Sequence, residues 1–238
     1  MAQAEAMADS INYELNDGVA ILRLDDGKAN ALGHEVVMTL GQHLDRAEQE
    51  ASAVLIVGRE GKFSAGYNLQ EMMAGPDSAR RLVKAGGELM LRLFTFPRPV
   101  VAACTGHALA AGAILLLACD LRIGAEGPFK IGLNEVPLGM TPPLYLVELA
   151  RHRLSKRWYT RAVTQGQIFT PADAVDTGYL DACVGGEELL GLAKDEAKRL
   201  GALPHAAFAE AKRREREAIA TALLEGLDDD MNSFKLDG

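Results

Sequence analysis

The sequence predicts an α/β fold with parallel strands buried on both faces. Two short apolar runs, Ala53–Val57 and Val100–Cys104, are uninterrupted by polar residues, as strands covered on both sides require. Amphipathic helical stretches lie between such runs, and the chain from Thr141 onward is mostly helical in pattern.

The elements follow in order. Val19–Leu24 alternates apolar and polar residues and stops at Asp25-Asp26-Gly27, a strand and a turn. Val36, Val37, Leu40 and Leu44 share one face of the next helix, with His34 and His43 on its solvated side. Gly58 ends the Ala53–Val57 strand, and residues 62–68 form a small-residue loop. A helix spans residues 78–94, and Pro97 and Pro99 break it. After the Val100–Cys104 strand, Thr105-Gly106-His107 turns into residues 108–119. That run is rich in Ala and Leu and reads as a buried helix. Residues 121–123 return to strand. Helices then cover 142–152, 155–165, Pro171–Thr177, 187–200 and 204–224.

Composition narrows the function. Of the 238 residues 48% are hydrophobic, enough to build a core and exclude a disordered chain. The net charge of −8 argues against general affinity for nucleic acid or an anionic membrane. The apolar run 108–119 is short of the roughly 20 residues that cross a bilayer. The N-terminus MAQAEAMADS lacks the charge pattern of a secretory or transit signal. Cys104, Cys119 and Cys183 are odd in number, and no Cys/His pair has zinc spacing. The expectation is a reduced, cytoplasmic protein with neither disulfide framework nor metal.

Two loops hold the candidate chemistry. Phe63-Ser64-Ala65-Gly66 follows a buried strand; read alone, it is a tight turn needing Gly66. Ala110-Ala111-Gly112 follows another and opens an apolar helix, whose first N–H groups have no partner within it; read alone, it is a small-residue helix start. Together they can aim two backbone N–H groups at one point, which makes an oxyanion hole. Glu135 stands in the nearly uncharged stretch Ile131 to Gly139, either a solvated loop residue or a carboxyl of raised pKa suited to moving protons. His107, in a turn beside the second loop, is either structural or near a site. Lys212-Arg213-Arg214 is a phosphate contact or a solvated helix face, and Lys28 is a turn lysine or a nucleotide contact.

The ordered series resembles the crotonase, or enoyl-CoA hydratase/isomerase, family. Lys28-Ala29-Asn30-Ala31-Leu32 resembles its early N-A-L segment. Phe63 through Leu69 is similar to its F-x-A-G-x-D-L loop, with Asn68 in place of Asp. Gly106 through Asp120 is similar to the glycine-rich helix start ending in C-D, and Phe129 through Gly139 resembles the segment carrying a catalytic glutamate. The resemblance implies a spiral of ββα units with C-terminal helices that build a homotrimer or dimer of trimers. It divides the chain into a core over 1–190 and a helical segment over 191–238, packed on the core or a neighbouring subunit. It implies an acyl-CoA thioester as substrate, with coenzyme A part of that substrate and no other cofactor. The N–H groups of Ala65 and Ala111 would hold the thioester oxygen. Lys28, Ala29, Ser64, Gly66, Tyr67, Asn68, Gly112, Ile114 and Lys212 would line the substrate site. Ile114 stands where hydratases of the family carry a first glutamate, while Glu135 keeps the second. One base without its partner resembles the Δ3,Δ2-enoyl-CoA isomerase branch. The alternatives are a hydratase that recruits another carboxylate, Glu71 being the candidate, and a non-catalytic acyl-CoA-binding protein.

Overall fold

The computed structural model describes residues 10–234. Its main sheet has six strands in the order β1 (Ile11–Asn16), β2 (Val19–Leu24), β4 (Ala53–Val57), β7 (Val100–Cys104), β9 (Leu121–Ala125) and β11 (Ala182–Val184). β1 pairs antiparallel with β2, and every other pairing in this sheet is parallel. A second, parallel sheet runs β10 (Ile131–Gly132), β8 (Gly106–Leu109), β5 (Gly61–Ser64). A short parallel pair joins β3 (Ala31–Leu32) to β6 (Gly66–Tyr67). The helices are α1 (His34–Glu50), α2 (Leu69–Met72), α3 (Pro76–Thr95), α4 (Ala111–Ala118), α5 (Leu144–Arg153), α6 (Tyr159–Val163), α7 (Pro171–Thr177), α8 (Gly186–Gly201), α9 (His205–Glu225) and α10 (Leu227–Ser233).

The chain repeats one path. A strand of the main sheet leads to a strand of a smaller sheet, then to a helix: β4–β5 to α3, then β7–β8 to α4. This is the spiral of ββα units that the resemblance implied. Side chains alternate across a strand, so β4 serves two cores. Val54 and Ile56 join the core under α1, α3 and α4, whereas Ala53, Leu55 and Val57 join a smaller one covered by Leu189, Ala193 and Ala197 of α8. Position 190, expected to end the core, lies inside α8.

Several elements differ from the sequence reading. Residues 108–119 are not one helix. Ala108 and Leu109 belong to β8, and the helix starts at Ala111. The N–H groups of Ala108 and Ala110 bond to the carbonyls of Lys130 and Gly132, which hold this stretch extended. The loop 62–68 carries β5 and β6, and β1 and β11 had no periodicity strong enough to announce them.

Lys212 is the largest correction. It is neither a phosphate contact nor solvated. Lys212, Arg216 and Ala220 form the buried stripe of α9 at helical spacing. The Lys212 ammonium donates to Asp120 Oδ2 at 2.8 Å, and Arg216 donates to Asp120 Oδ1 at 2.7 Å and to the Phe94 carbonyl at 2.9 Å. The same carboxylate accepts the Val100 N–H at 2.8 Å. Burial pulls the Lys212 pKa down to about 8, against the pull of Asp120. Arg213 and Arg214 do face solvent, paired along the helix with Glu210 and Glu217. Among the described residues no helix is long and apolar enough to cross a membrane, and no cluster of ligating side chains could hold a metal.

Candidate active site

The small sheets deliver their ends to a cleft of about 890 Å³. Asp25, Asp26 and Lys28 stand at its exposed side, and buried Met72, Val83, Tyr145, Leu146 and Phe234 at its apolar side. Lys28, Ala29, Ala65, Tyr67, Asn68, Ala111 and Glu135, all expected at the site, line this one cavity.

Asn30 builds the first wall. It adopts a left-handed backbone (φ 53°) that Asn tolerates. Its side-chain amide donates to the carbonyls of Leu24, Lys62 and Phe63 at 2.9–3.2 Å. The turn before it is fixed by Asp26, whose carboxylate accepts the N–H groups of Lys28, Asn30 and Ala31. Burial alone would raise the Asp26 pKa, yet those three donors hold it below the ordinary value. Ser64 is fully buried outside the cleft and donates to the Asn30 carbonyl at 2.8 Å. Asn68 caps α2, accepting from the N–H groups of Gln70 and Glu71. Sequence reasoning missed the clasping roles of Asn30 and Asp26, although an Asn-Ala after an Asp-Gly turn was a usable signal.

The two loops meet through their glycines. A methyl group on Gly66 would stand 2.9 Å from Ala110 Cβ and 3.2 Å from the Ala111 nitrogen. One on Gly112 would stand 2.3 Å from the Ser64 carbonyl oxygen. Gly112 thus keeps α4 against the first loop from behind, and neither glycine lines the cleft.

Of the two expected donors, one differs from expectation. Ala111 opens α4, so its N–H has no carbonyl one turn earlier in the helix. The Ala65 N–H is already engaged, donating to the Ala29 carbonyl at 3.0 Å. Beside them Ala110 takes φ 48° and ψ −126°, a conformation suited to glycine. Ala110→Gly is therefore expected to raise stability by about 1 kcal/mol, the relief of strain exceeding the added chain entropy. The midpoint of urea unfolding checks it.

Glu135 begins the 3₁₀ turn Val136–Leu138, and its carbonyl accepts the N–H groups of Leu138 and Met140. It is 7% exposed, and Oε2 has no hydrogen-bond partner. Burial pushes its pKa up to about 7, offset in part by the N–H groups of Glu135 and Asn134. Such a carboxyl exchanges protons in both directions near neutral pH.

Ile114 lies in the core at 1% exposure and does not line the cleft. Its position supplies no carboxylate, and it does not line the substrate site as the resemblance implied. Glu71 lines the cleft yet is committed to His34, accepting its Nδ1 at 2.6 Å and its backbone N–H at 3.2 Å. His34 is thus a tether whose side chain remains partly exposed. His43 is half-buried against Tyr13, and burial lowers its pKa. His107 accepts the Lys130 N–H at 3.0 Å and has a structural role.

A model of the enoyl-CoA hydratase/isomerase family matches residues 14–236. Human mitochondrial enoyl-CoA delta isomerase 1 is 33% identical over 222 residues, 91% of this chain and 74% of that protein. A probable enoyl-CoA hydratase of Bacillus subtilis is 30% identical over 194 residues, 80% of this chain and 71% of its own. Among solved structures, an enoyl-CoA hydratase/isomerase family protein from Pseudomonas syringae superposes with a TM-score of 0.93 at 39% identity, covering 96% of this chain and 100% of that one.

Proposed function

The chain belongs to the enoyl-CoA hydratase/isomerase family, and from that premise we propose that it shifts the double bond of a 3-enoyl-CoA to the 2-position with Glu135 as its one acid/base. The observation that carries this reading is a single buried carboxyl with an unpaired oxygen, in the same cleft as the Ala111 N–H, while position 114 offers no second acid.

The Glu135 carboxylate takes a proton from C2, which both the carbonyl and the adjacent double bond acidify. The electron pair moves onto the thioester oxygen and forms a dienolate. The Ala111 N–H donates to that oxygen. The Ala65 N–H joins it by leaving the Ala29 carbonyl, which a stronger, anionic acceptor favours. Each such donor contributes about 3–4 kcal/mol to the transition state. Glu135, now protonated, returns the proton at C4, and the double bond rests between C2 and C3. No atom is gained or lost, so water is not required.

The test is incubation of the purified protein with 3-enoyl-CoA and, separately, with 2-enoyl-CoA. Appearance of the 2-enoyl product from the first is expected; a 3-hydroxyacyl product from the second, with no isomerisation, would refute the reading. Activity is also expected to rise with pH through an apparent pKa near 7, because the free enzyme must present the carboxylate. A kcat/KM profile that stays flat across neutral pH would contradict Glu135 as the base.

A further inference from the structure

The apolar side of the cleft contains one polar feature that the proposed reaction does not use. Tyr67 and Tyr145 both line it, and their hydroxyl oxygens are 2.6 Å apart. The two residues are 78 positions apart. Two adjacent glycines of α3 make room for them. A methyl group on Gly86 would stand 2.0 Å from the Tyr67 oxygen, and one on Gly87 would stand 2.9 Å from Tyr145 Cε1. The rings are therefore seated against bare helix backbone and cannot retreat from the cleft on that side.

Counting hydrogens gives the consequence. Burial, reinforced by the nearby Glu135 charge, raises the pKa of both phenols, so both stay protonated. Two hydroxyls carry two hydrogens. One hydrogen is spent inside the pair, whichever oxygen donates. The other makes no hydrogen bond among the described residues. In the same cleft the buried Asn134 Oδ1 lacks a donor. Once a bound chain has displaced water, a spare O–H costs free energy unless that chain supplies an acceptor.

We propose that the Tyr67–Tyr145 pair selects acyl chains that carry a hydroxyl group, which accepts the spare phenolic hydrogen and has its own hydrogen to give to Asn134. A plain alkyl chain leaves both groups unpaired. Only a short list of oxygenated groups serves: a carboxylate on the chain would meet the Glu135 charge, while Lys28 stands at the exposed side of the cleft, and so is disfavoured.

This inference rests on the isomerase reading, and its test separates the two. Isomerisation of two 3-enoyl-CoA substrates of equal chain length, one hydroxylated beyond the double bond and one plain, is measured for the wild type, Tyr67→Phe and the Tyr67→Phe/Tyr145→Phe double variant. The wild type is expected to favour the hydroxylated substrate in kcat/KM. The ratio is expected to fall about tenfold in the double variant, the worth of one buried hydrogen bond, and by less in the single variant. A wild type that turns over both substrates without preference overturns the proposal. So does a double variant that slows both alike, leaving the ratio unchanged. If neither substrate is isomerised by any form, the isomerase reading itself has failed.

Discussion

Glu135→Gln is expected to lower kcat for isomerisation by about 10²–10⁴-fold, the usual contribution of a positioned general base, while acyl-CoA affinity changes little. The substitution keeps the shape and removes the proton carrier. It also has a stability signature, which follows from the burial of the carboxyl. The Glu135 pKa stands at about 7 in the folded protein against an ordinary 4.5. A carboxyl raised in this way contributes stability that is fully present below pH 4.5 and lost as pH rises through 7. The Gln variant does not titrate. Above neutral pH it should therefore be more stable than the wild type, by up to about 3 kcal/mol, and the gap should close on acidification. Urea unfolding at several pH values, beside turnover with 3-enoyl-CoA, reads both effects. Undiminished turnover, or a variant less stable at every pH, would defeat the assignment.

The second large effect lies away from the cleft. Asp120→Asn is expected to destabilise the protein by about 3–5 kcal/mol, because it leaves Lys212 buried without a counter-charge and Arg216 with only the exposed Glu215. Removing the carboxylate also weakens the acceptor of the Val100 N–H at the start of β7. Adding Lys212→Met to this variant should restore part of the loss, since it removes the stranded ammonium. Strict additivity of the two substitutions would show that Asp120 and Lys212 are not coupled. The loss should appear first as detachment of α9 from α3, seen as early amide exchange in that helix.

How far the sequence could be read depended on the range of the interaction. The buried strands β4 and β7 were legible because burial on both faces demands consecutive apolar residues, and that demand is local. Glu135 was legible as the lone acid in an uncharged stretch. Lys212 was misread for the same reason that it is interesting. A lysine on a charged helix looks solvated until the partner 92 residues earlier is known. Ile114 was placed in the cleft by resemblance, whereas the helix start at Ala111 turns its side chain into the core. Tyr145 gave no signal of a site, because it acts only through a contact brought in from 78 positions away in the chain.

Fold class, the sheet's buried strands, and the residue types able to hold an oxyanion and move a proton are all consequences of local pattern, since periodicity, turn chemistry and charge are written within a few neighbouring residues. Whether the amides of Ala65 and Ala111 are free, what raises the Glu135 pKa, and which hydroxyls share its cleft depend on long-range packing. Those properties are set by desolvation and by hydrogen-bond distances of about 3 Å, and neither exists until distant segments have been folded against one another.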